Sequence, residues 1–230
     1  MESRMADSVH AASFAELLDL LLEAYGPPRR SRRLPPVDEL VLTILSQNTS
    51  DTNTDRAYAS LRERFASWHD VAAADPADVV DAIRSGGLAN QKGPRIQAVL
   101  RELLSSNDGL DLGSLGDLDP QEAIGRLTAL PGVGKKTASC VLLFSLDGPV
   151  MPVDTHILRI ARRLGLVGER ASADETHALL TSLTPPDRML EAHLLLIQHG
   201  RETCRARRPL CEACPLLPHC PTGRQRVAVM

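Results

Sequence analysis

Four cysteines lie close together near the C-terminal end of the chain and are its clearest candidates for metal chemistry: Cys204, Cys211, Cys214 and Cys220. Prolines stiffen the segment between them, which holds the thiols near one point. Thiolates favour zinc and iron, so a tetrahedral zinc site and an iron–sulfur cluster are both candidates. Structural zinc usually takes two close cysteine pairs, and the single Cys-x2-Cys pair here therefore favours the cluster.

A lysine and an aspartate form a second candidate site. Lys136 opens a helical segment, and Asp154 follows a turn after it, so a short return of the chain would bring the two together. A neutral lysine amine can attack a sugar C1′ to form a Schiff base, and a nearby carboxylate can take its proton and stabilise the cationic sugar. Spacing alone favours a simpler phosphate contact for Lys136, and Asp154 also suits a helix N-cap, which is compatible with catalysis.

Lys136 directly follows a glycine-rich turn within Leu130-Pro131-Gly132-Val133-Gly134-Lys135-Lys136-Thr137-Ala138. Apolar helical patterns flank this turn, which predicts a helix, a tight hairpin and a second helix. The amides of 132–135 would point out of a helix N-terminus, where the dipole favours an anion such as a nucleic-acid phosphate. An ordinary helix–helix turn is the alternative, and the two lysines favour the phosphate.

Helices are the elements that must position these residues. Hydrophobic periodicity and capping residues predict about ten of them, and no stretch alternates with the period of a strand. The chain is therefore predicted to be all-α. The predicted helices cover approximately 13–25, 38–47, 52–65, 76–84, 92–104, 121–129, 138–145, 155–164, 173–183 and 188–198.

The composition limits the class of protein. The chain has 230 residues, 43% of them hydrophobic, which is enough for a buried core, and a net charge of -3. Arginines flank the cysteine segment and supply local positive charge that the net charge hides. Aromatic residues make up only 3%, which argues against a base-stacking platform. With no secretory signal and no long apolar run, we expect a soluble intracellular protein, cytoplasmic and nucleoid-associated in a bacterium.

The chain resembles the endonuclease III family of DNA glycosylases, in the helix-hairpin-helix superfamily. The hairpin over 130–138, the segment Val153-Asp154-Thr155-His156 and the four-cysteine loop after His199-Gly200-Arg201 each match a family motif, in the family's order. Two further segments, 44–51 and 87–92, look like its two DNA-inserting segments. The resemblance implies a bifunctional glycosylase and abasic-site lyase of base-excision repair, acting as a monomer on oxidised pyrimidines and abasic sites in duplex DNA.

The same resemblance implies two lobes. One is a six-helix barrel over 29–148, with the helix-hairpin-helix motif at 121–147. The other is an iron–sulfur lobe built from 1–28 and 149–230, whose loop at 204–220 would hold a 4Fe-4S cluster, with zinc as the alternative. Lys136 and Asp154 would be catalytic. The residues expected to contact DNA are Gln47, Asn48, Leu88, Lys92, Leu130, Gly132, Val133, Gly134, Lys135 and His156.

Two positions depart from the family pattern. Asn48 stands where family members commonly carry the glutamine that fills the gap left by the flipped base, and Gln47 lies one position early. Ala89 stands where a larger side chain commonly follows the leucine wedge. Both changes remove bulk from the segments that would enter the duplex, so they are expected to weaken extrusion or narrow the lesion range.

Two other functions are compatible with parts of the sequence. A monofunctional mismatch glycosylase of the same superfamily typically lacks the lysine that is present here at 136. A non-enzymatic DNA-binding protein would use the cysteines only to hold a basic loop. That second alternative leaves the pairing of Lys136 with Asp154 unexplained.

Overall fold

The computed structural model describes residues 2–30, 32–106 and 109–229, with side chains from Phe14 onward. Twelve α-helices and no strand are found in these ranges, which confirms the all-α prediction. The helices are α1 (Glu2–Tyr25), α2 (Pro36–Leu45), α3 (Asp51–Arg64), α4 (Trp68–Ala73), α5 (Pro76–Ala82), α6 (Ala89–Ser105), α7 (Pro120–Thr128), α8 (Lys135–Leu146), α9 (Thr155–Leu164), α10 (Ala173–Leu183), α11 (Met189–Glu202) and α12 (Pro221–Ala228).

The contacts divide the chain into two units, Arg33–Gly148 and a second formed by Met1–Arg32 with Pro149–Met230. The predicted first boundary, between 28 and 29, lies a few residues earlier. Arg33 belongs with the middle unit because its guanidinium donates to the Ser145 carbonyl at 3.0 Å and pairs with Asp147 at 2.8 Å, at the end of α8.

The middle unit contains α2 to α8. Helices α2 and α8 pack along each other, and α6 packs against α4 and α5. The apolar faces predicted from periodicity form its core, because burying them removes the most apolar surface from water. Its fully buried large side chains are Leu40, Ile44, Leu45, Leu61, Ile83, Ile96, Leu100, Leu127 and Leu143.

The other unit joins α1 to the helices α9 to α12. Helix α11 packs against both α9 and α1, and Phe14, Leu18 and Leu21 of α1 are completely buried there. Helix α12 and the short helix α4 were not predicted from the sequence, because few of their residues show a helical repeat. No helix in the described part of the chain combines the length and apolar character needed to cross a membrane.

Candidate functional site

The predicted hairpin is present in the middle unit. Helix α7 ends at Thr128 and α8 begins at Lys135. Gly132 in the turn between them has φ +72°, which favours glycine. The Leu130 and Val133 side chains are buried, and the Val133 amide donates to the Leu130 carbonyl at 3.1 Å. These two residues therefore anchor the turn with their side chains, and only their backbone remains for a ligand.

The start of α8 is built differently from that of its neighbour α7. Asp119 caps α7 by accepting from the amides of Gln121 and Glu122, whereas Gly134 offers α8 no capping side chain. The positive end of the α8 dipole is therefore not neutralised by a side chain at the N-cap. Lys135 is half-buried and Lys136 is exposed at this end. An anion such as a phosphate suits this arrangement of amides and lysines.

Besides Asp147 at the end of α8, two turns in the described part of the middle unit carry non-glycine residues with positive φ. Asn48 has φ 53° and Leu88 has φ 52°, in the left-handed region. Asparagine tolerates this region, but leucine does so at a cost of about 1–2 kcal/mol. Leu88 is also 46% exposed, so packing does not compensate for the strain. Strain at an exposed apolar side chain points to a role outside the fold itself.

Gln47 and Asn48 point to different environments. The half-buried Gln47 accepts from Arg95 at 2.8 Å through its Oε1 atom and lies 3.5 Å from the Thr137 hydroxyl through Nε2. Asn48 is exposed at the tip of the turn. Gln47 is thus engaged within the unit, and Asn48 is the residue of this pair presented to solvent.

The expectation that Lys92 contacts DNA does not fit the structure. Its side chain is only 2% exposed, and its Nζ donates to the carbonyls of Leu45 at 2.6 Å and Gly86 at 2.8 Å. Burial lowers the pKa of this lysine. The DNA contact was implied by the family resemblance, whereas the burial of Lys92 depends on one carbonyl 47 residues away and one six residues away.

Asp154 caps α9 in the other unit, as predicted. Its Oδ1 atom accepts from the amides of His156 and Ile157, each at 2.8 Å. Both bonds use the same oxygen, and no bond to Oδ2 is found in the described part of the chain. The cap therefore fixes the carboxylate while leaving its second oxygen for other chemistry.

His156 lies beside the chain that leads into the cysteine loop. A Cβ atom at Gly200 would lie 2.7 Å from the His156 Cβ atom, so only glycine fits there. Arg159 contacts His156 Nδ1 at 3.1 Å and donates to the carbonyls of Gly200 and Cys204, each at 2.9 Å. The segment that bears Asp154 is thereby tied to the start of the cysteine loop.

The four predicted metal ligands line one cavity, with Arg163 and His199 among its other walls. Hydrogen-bond donors approach the sulfurs: Arg163 Nη1 lies 3.3 Å from Cys204 Sγ, and the Gly223 amide lies 3.2 Å from Cys220 Sγ. Such donors stabilise sulfur that carries negative charge. Arginines around the loop are exposed, as expected: Arg201, Arg205, Arg207, Arg208, Arg224 and Arg226.

Burial changes the acid–base properties of the cavity wall. It raises the pKa of Cys214 to about 11, with a smaller contribution from the three neighbouring thiols, and lowers that of His199 to about 4. Neutral His199 receives a 2.8 Å contact on Nδ1 from the Tyr25 hydroxyl, and its Nε2 lies 3.9 Å from Cys214 Sγ. Because buried thiolates are costly without a cation, this donor set fits a positively charged metal group.

Sequence reasoning missed the contacts made by Arg95 in the middle unit and by Tyr25, Arg159 and Arg163 in the other unit. Each acts through a carbonyl, a side chain or a sulfur on a distant segment, and no local spacing reveals such a partner. For Arg159 and Arg163, the sequence offered one signal: α9 carries several arginines on the face opposite to its buried apolar residues.

Comparison of the sequence with known proteins gives the same family as the motifs. Residues 41–186 match the family model described as "HhH-GPD superfamily base excision DNA repair protein". The chain is 37% identical to endonuclease III of Thermotoga maritima, over 86% of this chain and 89% of the relative. It is 36% identical to endonuclease III of Sulfolobus acidocaldarius, over 79% of each.

A solved structure has a similar fold. A trapped endonuclease III–DNA covalent intermediate, in an estranged-adenine complex, superposes with a TM-score of 0.82 and 28% identity. The match covers 94% of this chain and 98% of that one.

Proposed function

Because the chain belongs to the endonuclease III family of base-excision DNA glycosylases, within the HhH-GPD superfamily, we propose that it removes oxidised pyrimidines from duplex DNA and cleaves the strand at the resulting abasic site. Its partner is double-stranded DNA that carries damaged pyrimidines or abasic sites, and it acts as a monomer. The observation that carries the lyase step is the exposed Lys136 at the uncapped start of α8, directly after the hairpin.

Lys136 is the nucleophile of this proposal. Once deprotonated, its amine forms a bond from Nζ to C1′ of the damaged nucleotide while the bond from C1′ to the base breaks, and the bonding electrons leave with the base. Asp154 accepts the proton that Nζ loses and offsets the positive charge on the sugar, using the oxygen that the α9 cap leaves unused. Asp154 passes that proton to the ring oxygen as the C1′–O4′ bond breaks, and ring opening gives the Schiff base. Water then takes a C2′ proton, and the C3′–O bond breaks with its electrons leaving on the 3′ phosphate.

The binding residues of the proposal fall into three turns of the middle unit and one position in the other. The hairpin amides around Gly132, Gly134 and Lys135 hold a backbone phosphate, with Leu130 and Val133 supporting them from within. Asn48 and Leu88 enter the duplex. His156, held by Arg159, contributes a phosphate contact beside Asp154.

Borohydride trapping tests this function directly. The wild-type protein incubated with duplex DNA containing one abasic site is expected to form a covalent protein–DNA adduct when borohydride reduces the imine. Absence of an adduct, with strand cleavage also absent, would overturn the lyase assignment and favour a monofunctional glycosylase.

The cofactor of the proposal is a 4Fe-4S cluster held by Cys204, Cys211, Cys214 and Cys220. A cavity among four thiols with hydrogen-bond donors around them suits such a group. When bound, the cluster would cross-link the loop and supply folding free energy. The residues around it keep their own tasks: Arg163 and Gly223 stabilise the sulfurs, and Arg159 joins the loop to the Asp154 segment.

The cofactor prediction is checked by metal analysis. Protein purified without oxygen is expected to be brown and to contain about four iron and four sulfide per chain. A colourless protein that retains one zinc ion per chain would instead establish the tetrahedral alternative.

Leu88 provides a further test. Replacing it by glycine relieves the strain at φ 52° and adds chain entropy to the unfolded state, so we expect the free energy of unfolding to stay within about 1 kcal/mol of wild type. Base release from a paired lesion should nevertheless fall much more than cleavage at a pre-formed abasic site, because extrusion is easier when pairing is already lost. Single-turnover rates on the two substrates measure this difference. Equal losses on both would refute a wedge role.

A further inference from the structure

Lys92 is a buried cation in the first turn of α6, and in the described part of the chain it forms no hydrogen bond to a carboxylate. Both hydrogen bonds of its Nζ go to backbone carbonyls, Leu45 at 2.6 Å and Gly86 at 2.8 Å. Burying a charged amine in this way is costly. An apolar side chain such as methionine would fill the same space without that cost, so the ammonium points to a positional requirement.

The two carbonyls lie at the ends of two helical segments. Leu45 is the last residue of α2, and Gly86 is the last residue of the short 3-10 helix over Arg84–Gly86. A cation at the C-terminal end of a helix is favoured by the dipole, and its hydrogen bonds to carbonyls are charge-assisted. Leu45 lies three residues before Asn48, and Gly86 lies two residues before Leu88, the two residues in the left-handed region. One ammonium therefore joins the two turns.

Arg95 lies one helical turn further along α6 and extends the connection. Its Nη1 atom donates to Gln47 Oε1 at 2.8 Å, within the first turn. Its side chain also passes beneath the hairpin, because a Cβ atom on Gly132 would lie 2.7 Å from Arg95 Nε. Residues on one face of α6 thus touch the Asn48 turn, the Leu88 turn and the hairpin.

We propose that Lys92 is a positioning residue that locks the Asn48 and Leu88 turns into one rigid unit, so that both side chains enter the duplex together. Arg95 fixes this unit to the hairpin that holds the phosphate. The inference rests on the proposed function, since it concerns how the duplex is entered. Lys92 itself does not touch DNA.

The reason for such a clamp is the cost of extrusion. Unstacking a base costs free energy, which the contacts of the inserted side chains must offset. These contacts are most favourable when the side chains are held in the inserting conformation beforehand. Short turns with strained residues would otherwise relax away from the inserting conformation. Because one buried ammonium holds both turns, relaxation of either turn removes a hydrogen bond from the group that positions the other.

The chain offers a matched control on the same helix. Gln97 is also buried on α6, and its Nε2 also donates to two carbonyls, Val71 at 3.0 Å and Ala74 at 2.9 Å, which lie in and after α4. Lys92→Met and Gln97→Met therefore each remove two buried hydrogen bonds from α6. Only the first removes them from the turns that would enter DNA.

The experiment compares the two variants on two substrates. Lys92→Met is expected to slow single-turnover base release from a paired oxidised pyrimidine by roughly tenfold to a hundredfold, as the loss of a charged hydrogen bond implies. Borohydride trapping on a pre-formed abasic site should fall much less. Gln97→Met should leave the ratio of the two rates as in wild type. Equal ratios in the two variants would overturn the clamp.

Hydrogen exchange in the wild-type protein keeps the inference falsifiable if Lys92→Met does not fold. The amides of 46–49 and 86–89 are expected to exchange through one shared opening, with the same dependence on denaturant. Independent openings of the two turns would overturn the proposal. This measurement needs no DNA, so it decides whether the two turns are coupled whatever the protein's activity. Failure of the wild-type protein to form an adduct would refute the proposed function separately.

Discussion

Replacing Lys136 by glutamine is expected to abolish the borohydride-trapped adduct and to reduce strand cleavage by about 10³-fold or more, because the nucleophile is deleted. Binding to DNA should persist. The hairpin turn at Gly132 and the amides at the start of α8 do not depend on this exposed side chain. Quantitative trapping on abasic DNA, beside a binding titration on the same duplex, measures both effects.

The neighbouring lysine supplies the control. Lys135→Gln makes the same change of charge at the adjacent position, where the side chain is half-buried. It is expected to weaken binding and to make it less dependent on salt, since one phosphate contact is lost, while the adduct still forms. Trapping that persists in Lys136→Gln and disappears in Lys135→Gln would show that Lys135, and not Lys136, is the nucleophile.

The second large effect is expected at Asp154. Asp154→Asn should reduce base release by about 10²–10⁴-fold, because an amide neither accepts the amine's proton nor offsets the charge on the sugar. Its effect on stability should be small. Asparagine caps helices as well as aspartate does, so only the interaction of the charge with the α9 dipole is lost, about 0.3–1 kcal/mol. Single-turnover rates and denaturant unfolding separate the two effects.

Asp119 allows the capping role to be tested alone. It accepts from two amides at the start of α7, at 2.8 and 3.4 Å, as Asp154 does at the start of α9. Asp119→Asn should therefore lower stability by a similar small amount and leave base release unchanged. If Asp154→Asn behaves in the same way, with base release within about threefold of wild type, Asp154 is only a cap.

Arg159 links the start of α9, which Asp154 caps, to the cysteine loop. Its bonds to the carbonyls of Gly200 and Cys204, and its contact with His156, tie the start of α9 to the first cysteine. A structural change in the loop at Cys204 would therefore reach His156, which lies within one helical turn of Asp154. This path lies wholly within the unit that holds α9 and α11.

Several features of the protein follow from the sequence because they depend on residues that are near neighbours along the chain. Asp75, Asp119 and Asp154 cap helices as an aspartate before a helix start should, and Gly132 takes the positive φ that a tight hairpin requires. The four cysteines line one cavity, since they lie in one short proline-stiffened segment. The motif order was enough to identify the family, which the comparisons confirm.

The tertiary structure alone decided how long side chains are used. The family resemblance implied that Lys92 contacts DNA, and nothing in the sequence assigned a role to Arg95. The structure gives them the partners Leu45, Gly86 and Gln47, on other segments. The separation of Gln47 from Asn48 has the same origin, because it depends on which side of the turn faces α6. A backbone carbonyl is present at every residue, so the sequence carries no mark of which carbonyl a buried cation will meet. That choice is fixed only when the helices pack and their ends come together.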